Sequence, residues 1–99
     1  MSLLVRYTLK DAADHDKQIA AMEALVSALE SSGISGLDYA CFATDQPTEF
    51  VGVLEFPDEA TFKAFQASDA FAAYRQRVGT TFANPPHTTP ITKIASTRA

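Results

Sequence analysis

The chain has 99 residues, of which 46% are hydrophobic, and 8 Lys and Arg against 12 Asp and Glu give it a net charge of -4. This length predicts a single domain over residues 1–99, with one core and no second domain. Seven Phe and three Tyr indicate a packed interior rather than a disordered chain. The acidic balance argues against nucleic acid as a partner, because nucleic-acid binding depends on basic surface that neutralises phosphates.

The apolar segments and the cysteine content bear on location. No run approaches the roughly 20 apolar residues needed to cross a bilayer, so no membrane partner is expected. The apolar run in residues 1–9 is too short for a signal peptide and lacks a small-residue cleavage site. Cys41 is a single cysteine and forms no internal disulfide, so no oxidising compartment is needed and a cytoplasmic location is expected.

A strand and then a helix are predicted at the start of the chain. Residues 3–9 predict a strand, and since strand side chains alternate, one face carries Leu3, Val5, Tyr7 and Leu9 and the other Leu4, Arg6 and Thr8. A helix follows and runs to about Ser31, with Gly33 ending it. Its apolar stripe consists of Ile19, Met22, Leu25, Val26 and Leu29.

The middle of the chain predicts a hairpin. Residues 36–43 and 49–56 are the two strands, and the Thr, Asp, Gln and Pro of residues 44–48 form the turn. One face of the hairpin carries Leu37, Tyr39, Cys41, Phe50, Gly52, Leu54 and Phe56. The other carries Ala40, Phe42, Val51, Val53 and Glu55.

The last third predicts a broken helix and a final strand. Asp58 and Ser68 are two candidate N-caps, which together predict a short helix followed by a longer one. The apolar stripe of these helices consists of Phe62, Phe65, Phe71, Tyr74 and Val78. After the Asn84-Pro85-Pro86 break, residues 88–95 predict a strand in which Pro90 requires a sheet edge.

The order of elements is β-α-β-β-α-β, which predicts an α+β class protein. With two right-handed crossovers, the simplest arrangement is a ferredoxin-like, four-stranded antiparallel sheet in the spatial order 4-1-3-2. Both helical segments then lie on one side of the sheet.

The sheet face without helices is too apolar for water, since it combines Leu4, Phe42, Val51 and Val53 with Arg6 and Glu55. These apolar side chains predict a homodimer formed through this face, in which Arg6 and Glu55 are candidates for paired charges. The alternative is that strand parity slips at an irregularity, so that some of these residues turn inward. Arg6 and Glu55 would then form an ordinary exposed pair.

Several short segments in this order carry a resemblance to a known family. They are VRYTLK (5–10), SGLDY (35–39), EFPDEATF (55–62) and SDAF (68–71) followed by Tyr74. Over nearly its whole length the chain resembles the antibiotic biosynthesis monooxygenase family of dimeric α/β barrels. The resemblance implies a homodimer that pairs sheet against sheet, with a small-molecule pocket between sheet and helices in each subunit. It also implies cofactor-free oxygenation of quinol or polyketide substrates, the activity of many members.

Departures from the family pattern reduce the number of activities that the resemblance can imply. Phe56 stands where many relatives have Trp, and Gln66 stands where they have a helix His. The haem-degrading branch uses Asn, Trp and His at positions that match Val5, Phe56 and Gln66 here. Haem degradation is therefore not expected, and no cofactor is predicted. No His, Cys or carboxylate set has metal-ligand spacing, so no metal is expected either.

The pocket hypothesis assigns roles to specific side chains. Tyr7, Gln66 and Tyr74 are the candidate catalytic residues, able to orient a phenol or quinol, and only a tyrosine with a lowered pKa could act as the base. The candidate ligand contacts are Val5, Tyr39, Phe56, Phe62, Phe65 and Phe71. The bland alternative is that these residues are ordinary core.

Three functions stay open. The first is a cofactor-independent monooxygenase that acts on an aromatic or quinol-type molecule. The second is a non-catalytic barrel protein that binds small molecules or is associated with stress. The third is a regulatory module with a closed pocket, in which only the sheet face matters.

Overall fold

The structure is a computed structural model and describes residues 1–97. The elements in chain order are β1 (Ser2–Thr8), a 3-10 turn (Ala12–Asp14), α1 (His15–Glu30), β2 (Asp38–Ala43), β3 (Glu49–Glu55), α2 (Glu59–Gln66), α3 (Asp69–Val78) and β4 (His87–Ile91). The strands form one antiparallel sheet in the order β2-β3-β1-β4. This order confirms the predicted ferredoxin-like α+β topology.

The alternation of side chains in the two central strands is as predicted. In β1, Val5 and Tyr7 are buried, at 7% and 5% exposure, while Leu4 is half-buried on the opposite face. In β3, Phe50 and Leu54 are both 2% exposed. The register pairs Leu4 with Val53 and Val5 with Gly52, so the two strands present matching faces. The buried hydrophobic side chains among the described residues form one core between the sheet and the helices.

The N-caps of α2 and α3 are also as predicted, which explains why the helical segment is broken in two. The Asp58 carboxylate accepts a hydrogen bond from the Thr61 amide at 2.9 Å, which lowers the pKa of Asp58. The Ser68 hydroxyl oxygen accepts from the Phe71 amide at 3.2 Å. Each cap provides an acceptor for an amide that has no partner within its own helix.

Helix α1 is rotated relative to the predicted stripe. Met22, Leu25 and Leu29 are buried as expected, but Ile19 and Val26 lie at the margin and Gln18 is 1% exposed. The rotation follows from the packing of α1 against α3, where the Gln18 side chain contacts Tyr74.

The last strand is shorter than predicted, ending at Ile91 rather than at residue 95. Ile91 lies opposite Ser2, the first residue of β1, so beyond it there is no strand left to pair with. Pro90 lies in this strand at the edge of the sheet, as expected.

On the outer sheet face, Glu55 and Arg6 do not pair with each other. Glu55 pairs with Lys93, with 3.2 Å between Nζ and Oε1. Arg6 lies opposite Val51 on one side and His87 on the other. The exposed Arg6–Glu55 pair that the parity-slip alternative gave is therefore not formed within one chain, because the register separates the two residues along the sheet.

The two faces of β3 predict unequal effects of truncation. We expect Phe50→Ala to lower the free energy of unfolding by about 3–5 kcal/mol, because it leaves a cavity in the core. Glu49→Ala, at the exposed neighbouring position, should change it by less than about 0.5 kcal/mol. Urea denaturation followed by circular dichroism measures both, and equal losses in the two variants would contradict the assigned faces.

Candidate functional site

A cavity of about 590 Å³ lies between the sheet and helices α2 and α3. Seven of the side chains proposed from the sequence line it, namely Val5, Tyr7, Phe62, Phe65, Gln66, Phe71 and Tyr74. The lining also includes Leu3, Leu54, Arg75, Gly79, Thr88 and residues 82–86. The wall is mainly apolar, as is usual for small-molecule sites.

Aromatic rings in contact form much of this wall. The ring centroids of Phe65 and Phe71 are 4.8 Å apart, and those of Phe71 and Tyr74 are 6.3 Å apart. Tyr7 lies edge-on to Tyr74 at 6.5 Å and beside Phe82 at 5.7 Å. These pairs are at the centroid distances that are favourable for aromatic packing, so the rings contribute packing energy as well as apolar surface to the wall.

Two of the proposed ligand contacts lie behind the wall rather than in it. The Tyr39 hydroxyl forms a 2.6 Å hydrogen bond with the Tyr7 hydroxyl. Gly52 makes room for this pair, since a Cβ at that position would lie 2.9 Å from the Tyr39 ring. Phe56 is 5% exposed and stacks on Phe62 with centroids 5.0 Å apart. Tyr39 and Phe56 therefore support lining residues.

Gln18 is the functional candidate that the sequence analysis missed. Its Nε2 donates a 2.8 Å hydrogen bond to the Tyr74 hydroxyl, and its buried Oε1 has no partner among the described residues. The available signal was its spacing, four residues before Met22 and seven before Leu25, which places a polar side chain on the buried stripe.

Burial keeps the tyrosines of the site protonated. Desolvation raises the pKa of Tyr7 to about 12, although the hydrogen bond with Tyr39 opposes the rise. Desolvation also raises the pKa values of Tyr39 and Tyr74. The Cys41 thiol is half-buried, and its pKa is raised for the same reason. The condition for a tyrosine base, a lowered pKa, is therefore not met.

The polar mouth of the cavity was predicted only in part. Gln66 is exposed there, and the Arg75 guanidinium lies 5.0 Å from the centroid of the Phe71 ring. Residues 82–86 complete the rim, held in place by a 2.8 Å hydrogen bond from the Ala83 amide to the Thr8 carbonyl. The sequence analysis treated this segment only as a break before β4.

Among the described residues that line the cavity, none is Asp, Glu or His. His87 is exposed and lies beside Arg6 on the outer face of the sheet, whereas its neighbour Thr88 lines the cavity. Residues 1–97 contain no group of His, Cys, Asp or Glu side chains arranged to hold a metal ion. Over the same residues, no helix is both long enough and apolar enough to cross a bilayer.

Together, the fold and the cavity define a class of protein, a ferredoxin-like α+β domain with a cavity walled by aromatic rings beneath its helices. Solved structures share this architecture. One described as an antibiotic biosynthesis monooxygenase superposes with a TM-score of 0.80 at 16% identity, covering 95% of this chain and 98% of that one. No protein-family model matches the chain, and no curated protein matches it.

Two further structures give the same result, both named as candidate antibiotic biosynthesis monooxygenases. The one from Bacteroides thetaiotaomicron has a TM-score of 0.85 at 16% identity and covers 96% of this chain and 90% of its own. The one from Nitrosomonas europaea has a TM-score of 0.77 at 16% identity and covers 96% and 100%. The chain therefore has the fold of the antibiotic biosynthesis monooxygenases, and the resemblance predicted from the sequence is confirmed at the level of the fold.

The raised tyrosine pKa values predict a loss of stability at alkaline pH. In the unfolded chain tyrosine ionises near pH 10, whereas Tyr7 in the folded chain holds its proton to about pH 12. Between these values the unfolded state binds fewer protons, so the free energy of unfolding falls as the pH rises. Absorbance at 295 nm should show no tyrosinate in the folded protein below about pH 10. A tyrosine that titrates below that pH while the chain stays folded would contradict the assignment.

Proposed function

We propose that the chain is a cofactor-independent monooxygenase that acts on a planar aromatic or quinol-type molecule held in the cavity. The observation that supports this proposal most is the cavity itself, about 590 Å³ in volume and walled by stacked rings. This volume lies within the range of roughly 300–1,000 Å³ that is typical of small-molecule sites. A flat electron-rich ligand suits such walls, because aromatic rings pack well face to edge or offset.

The chemistry of such a reaction starts from an ionised substrate. The oxygenase reaction forms one C–O bond at a ring carbon and breaks the O–O bond, so that one oxygen atom enters the product and the other leaves as water. The quinol supplies all four electrons, and no other reductant is needed. Because the described residues that line the cavity include no carboxylate or imidazole, the proposed route is binding of a quinol that is already an anion. The Arg75 guanidinium at the mouth favours that form.

Non-catalytic binding of a small molecule is the second candidate. The observation that favours it is the state of the tyrosines, which burial keeps protonated so that none can accept a proton from a neutral substrate. In this case the same cavity binds the same class of ligand and releases it unchanged.

Oxygen labelling separates the two candidates. With 1,4-dihydroxynaphthalene under ¹⁸O₂, a monooxygenase yields 2-hydroxy-1,4-naphthoquinone carrying one labelled oxygen atom. Simple oxidation instead yields unlabelled naphthoquinone and hydrogen peroxide. Arg75→Gln should lower the rate of labelled product by about tenfold or more, since it removes a charged hydrogen-bond donor. Arg77→Gln, on the same helix but outside the lining, is the matched control. Binding without labelled product would leave only the second candidate.

We also propose that the chain forms a homodimer through its outer sheet face, in the cytoplasm. Phe42 is 52% exposed on this face, and Leu4, Val51 and Val53 are only half-buried beside it. An apolar patch of this kind on a single-layer sheet is typical of an interface between subunits. A cytoplasmic location agrees with the one free thiol, Cys41.

Light scattering tests the dimer directly. We expect twice the chain mass of 10.7 kDa for the unmodified protein. Val53→Asp should give the single-chain mass, because it places a charge in the desolvated centre of the interface. Ala24→Asp, on an exposed position of α1, serves as the control and should remain a dimer. A folded, single-chain mass for the unmodified protein would contradict the proposal.

A further inference from the structure

Among the described residues, the tyrosine hydroxyl groups beside the cavity carry more hydrogens than their hydrogen bonds use. Tyr7, Tyr39 and Tyr74 bring three hydroxyl hydrogens, and the described residues use one of them, in the bond between Tyr7 and Tyr39. We propose that this surplus forms a donor site for an acceptor oxygen of the ligand, and that Gln18 is the positioning residue that maintains it. The inference rests on the proposed binding of an aromatic molecule in the cavity.

Gln18 determines which way the Tyr74 hydroxyl points its hydrogen. Because the Gln18 Nε2 donates to the Tyr74 oxygen at 2.8 Å, that oxygen acts as an acceptor toward α1. Its own hydrogen is left for a partner elsewhere, and Tyr74 lines the cavity. Gln18 is 1% exposed, so water does not compete for the bond.

The Tyr7 and Tyr39 hydroxyls share one hydrogen bond of 2.6 Å, in which either oxygen can be the donor. Whichever hydroxyl donates, the bond uses one of the two hydrogens and leaves the other for a partner outside the pair. Tyr7 lines the cavity, so with Tyr39 as the donor the Tyr7 hydrogen is available to a ligand.

The ligand group that best satisfies these free donors is an oxygen that accepts hydrogen bonds and donates none. A ketone carbonyl and an ionised hydroxyl group both meet this requirement, whereas a plain aromatic hydrocarbon leaves the donors unsatisfied. Donors that are already oriented before the ligand arrives also favour negative charge on its oxygen. The site therefore selects aromatic molecules that carry a carbonyl or an anionic oxygen on the ring system.

Two probes of nearly equal shape test this inference. Alpha-tetralone carries a carbonyl where tetralin carries a CH₂ group, so the ratio of their dissociation constants reports the donors alone. Gln18→Met keeps the side-chain length and removes the donor. We expect it to weaken tetralone binding about tenfold and to leave tetralin binding unchanged. Tyr74→Phe should act similarly, and the double variant should be no worse than Tyr74→Phe alone. Gln76→Met, on the exposed side of α3, is the control.

Each outcome of these binding titrations either supports or overturns the donor-site inference. If Gln18→Met weakens the binding of both probes equally, the ratio of their dissociation constants is unchanged and Gln18 has only a packing role. That result would overturn the inference but not the proposed binding site. Binding of neither probe to the unmodified protein would overturn both. The carbonyl stretch of bound tetralone in the unmodified protein needs no variant, and a shift to lower frequency is expected. A frequency equal to that in hydrocarbon solvent would overturn the inference even if Gln18→Met did not fold.

Discussion

The whole structure depends on the alternation of side chains in β1 and β3, the two central strands of a single-layer sheet. Helices cover only one face of that layer. Along each strand the side chains therefore alternate between the core beneath the helices and the outer face. Val5 and Tyr7 are buried on the helix side, while Leu4 and Val53 are on the outer side. A sheet that is apolar on both faces needs a second covering layer, which is the physical basis for the proposed dimer.

On the helix side, burial and hydrogen bonding act on the same groups. Desolvation raises the pKa values of Tyr7 and Tyr74, so both remain hydroxyl donors rather than bases. The Gln18 amide donates a hydrogen bond to the Tyr74 hydroxyl, and the Tyr7 and Tyr39 hydroxyls share another. In the proposed function, these donors stabilise a ligand oxygen that carries charge, and none of the three tyrosines removes a proton from a neutral substrate.

The sequence predicted those features that depend on local pattern. The faces of β1 and β3 follow from period-two alternation, and the breaks at Asp58 and Ser68 follow from capping chemistry. It did not predict features that depend on how elements dock. Gln18 became buried because α1 rotates toward α3, and Arg75 reaches the cavity because α3 lies beside its mouth. The length of β4 was fixed by where β1 begins, which no local pattern in β4 records.

A crystal structure of the protein with alpha-tetralone bound tests the central claim, that the space beneath the helices is an aromatic binding site. The account predicts the ring of the probe against Phe65 and Phe71, with its carbonyl oxygen within about 3.2 Å of the Tyr74 hydroxyl. Tetralone ordered on the outer sheet face, with the cavity occupied by repacked side chains, would contradict it.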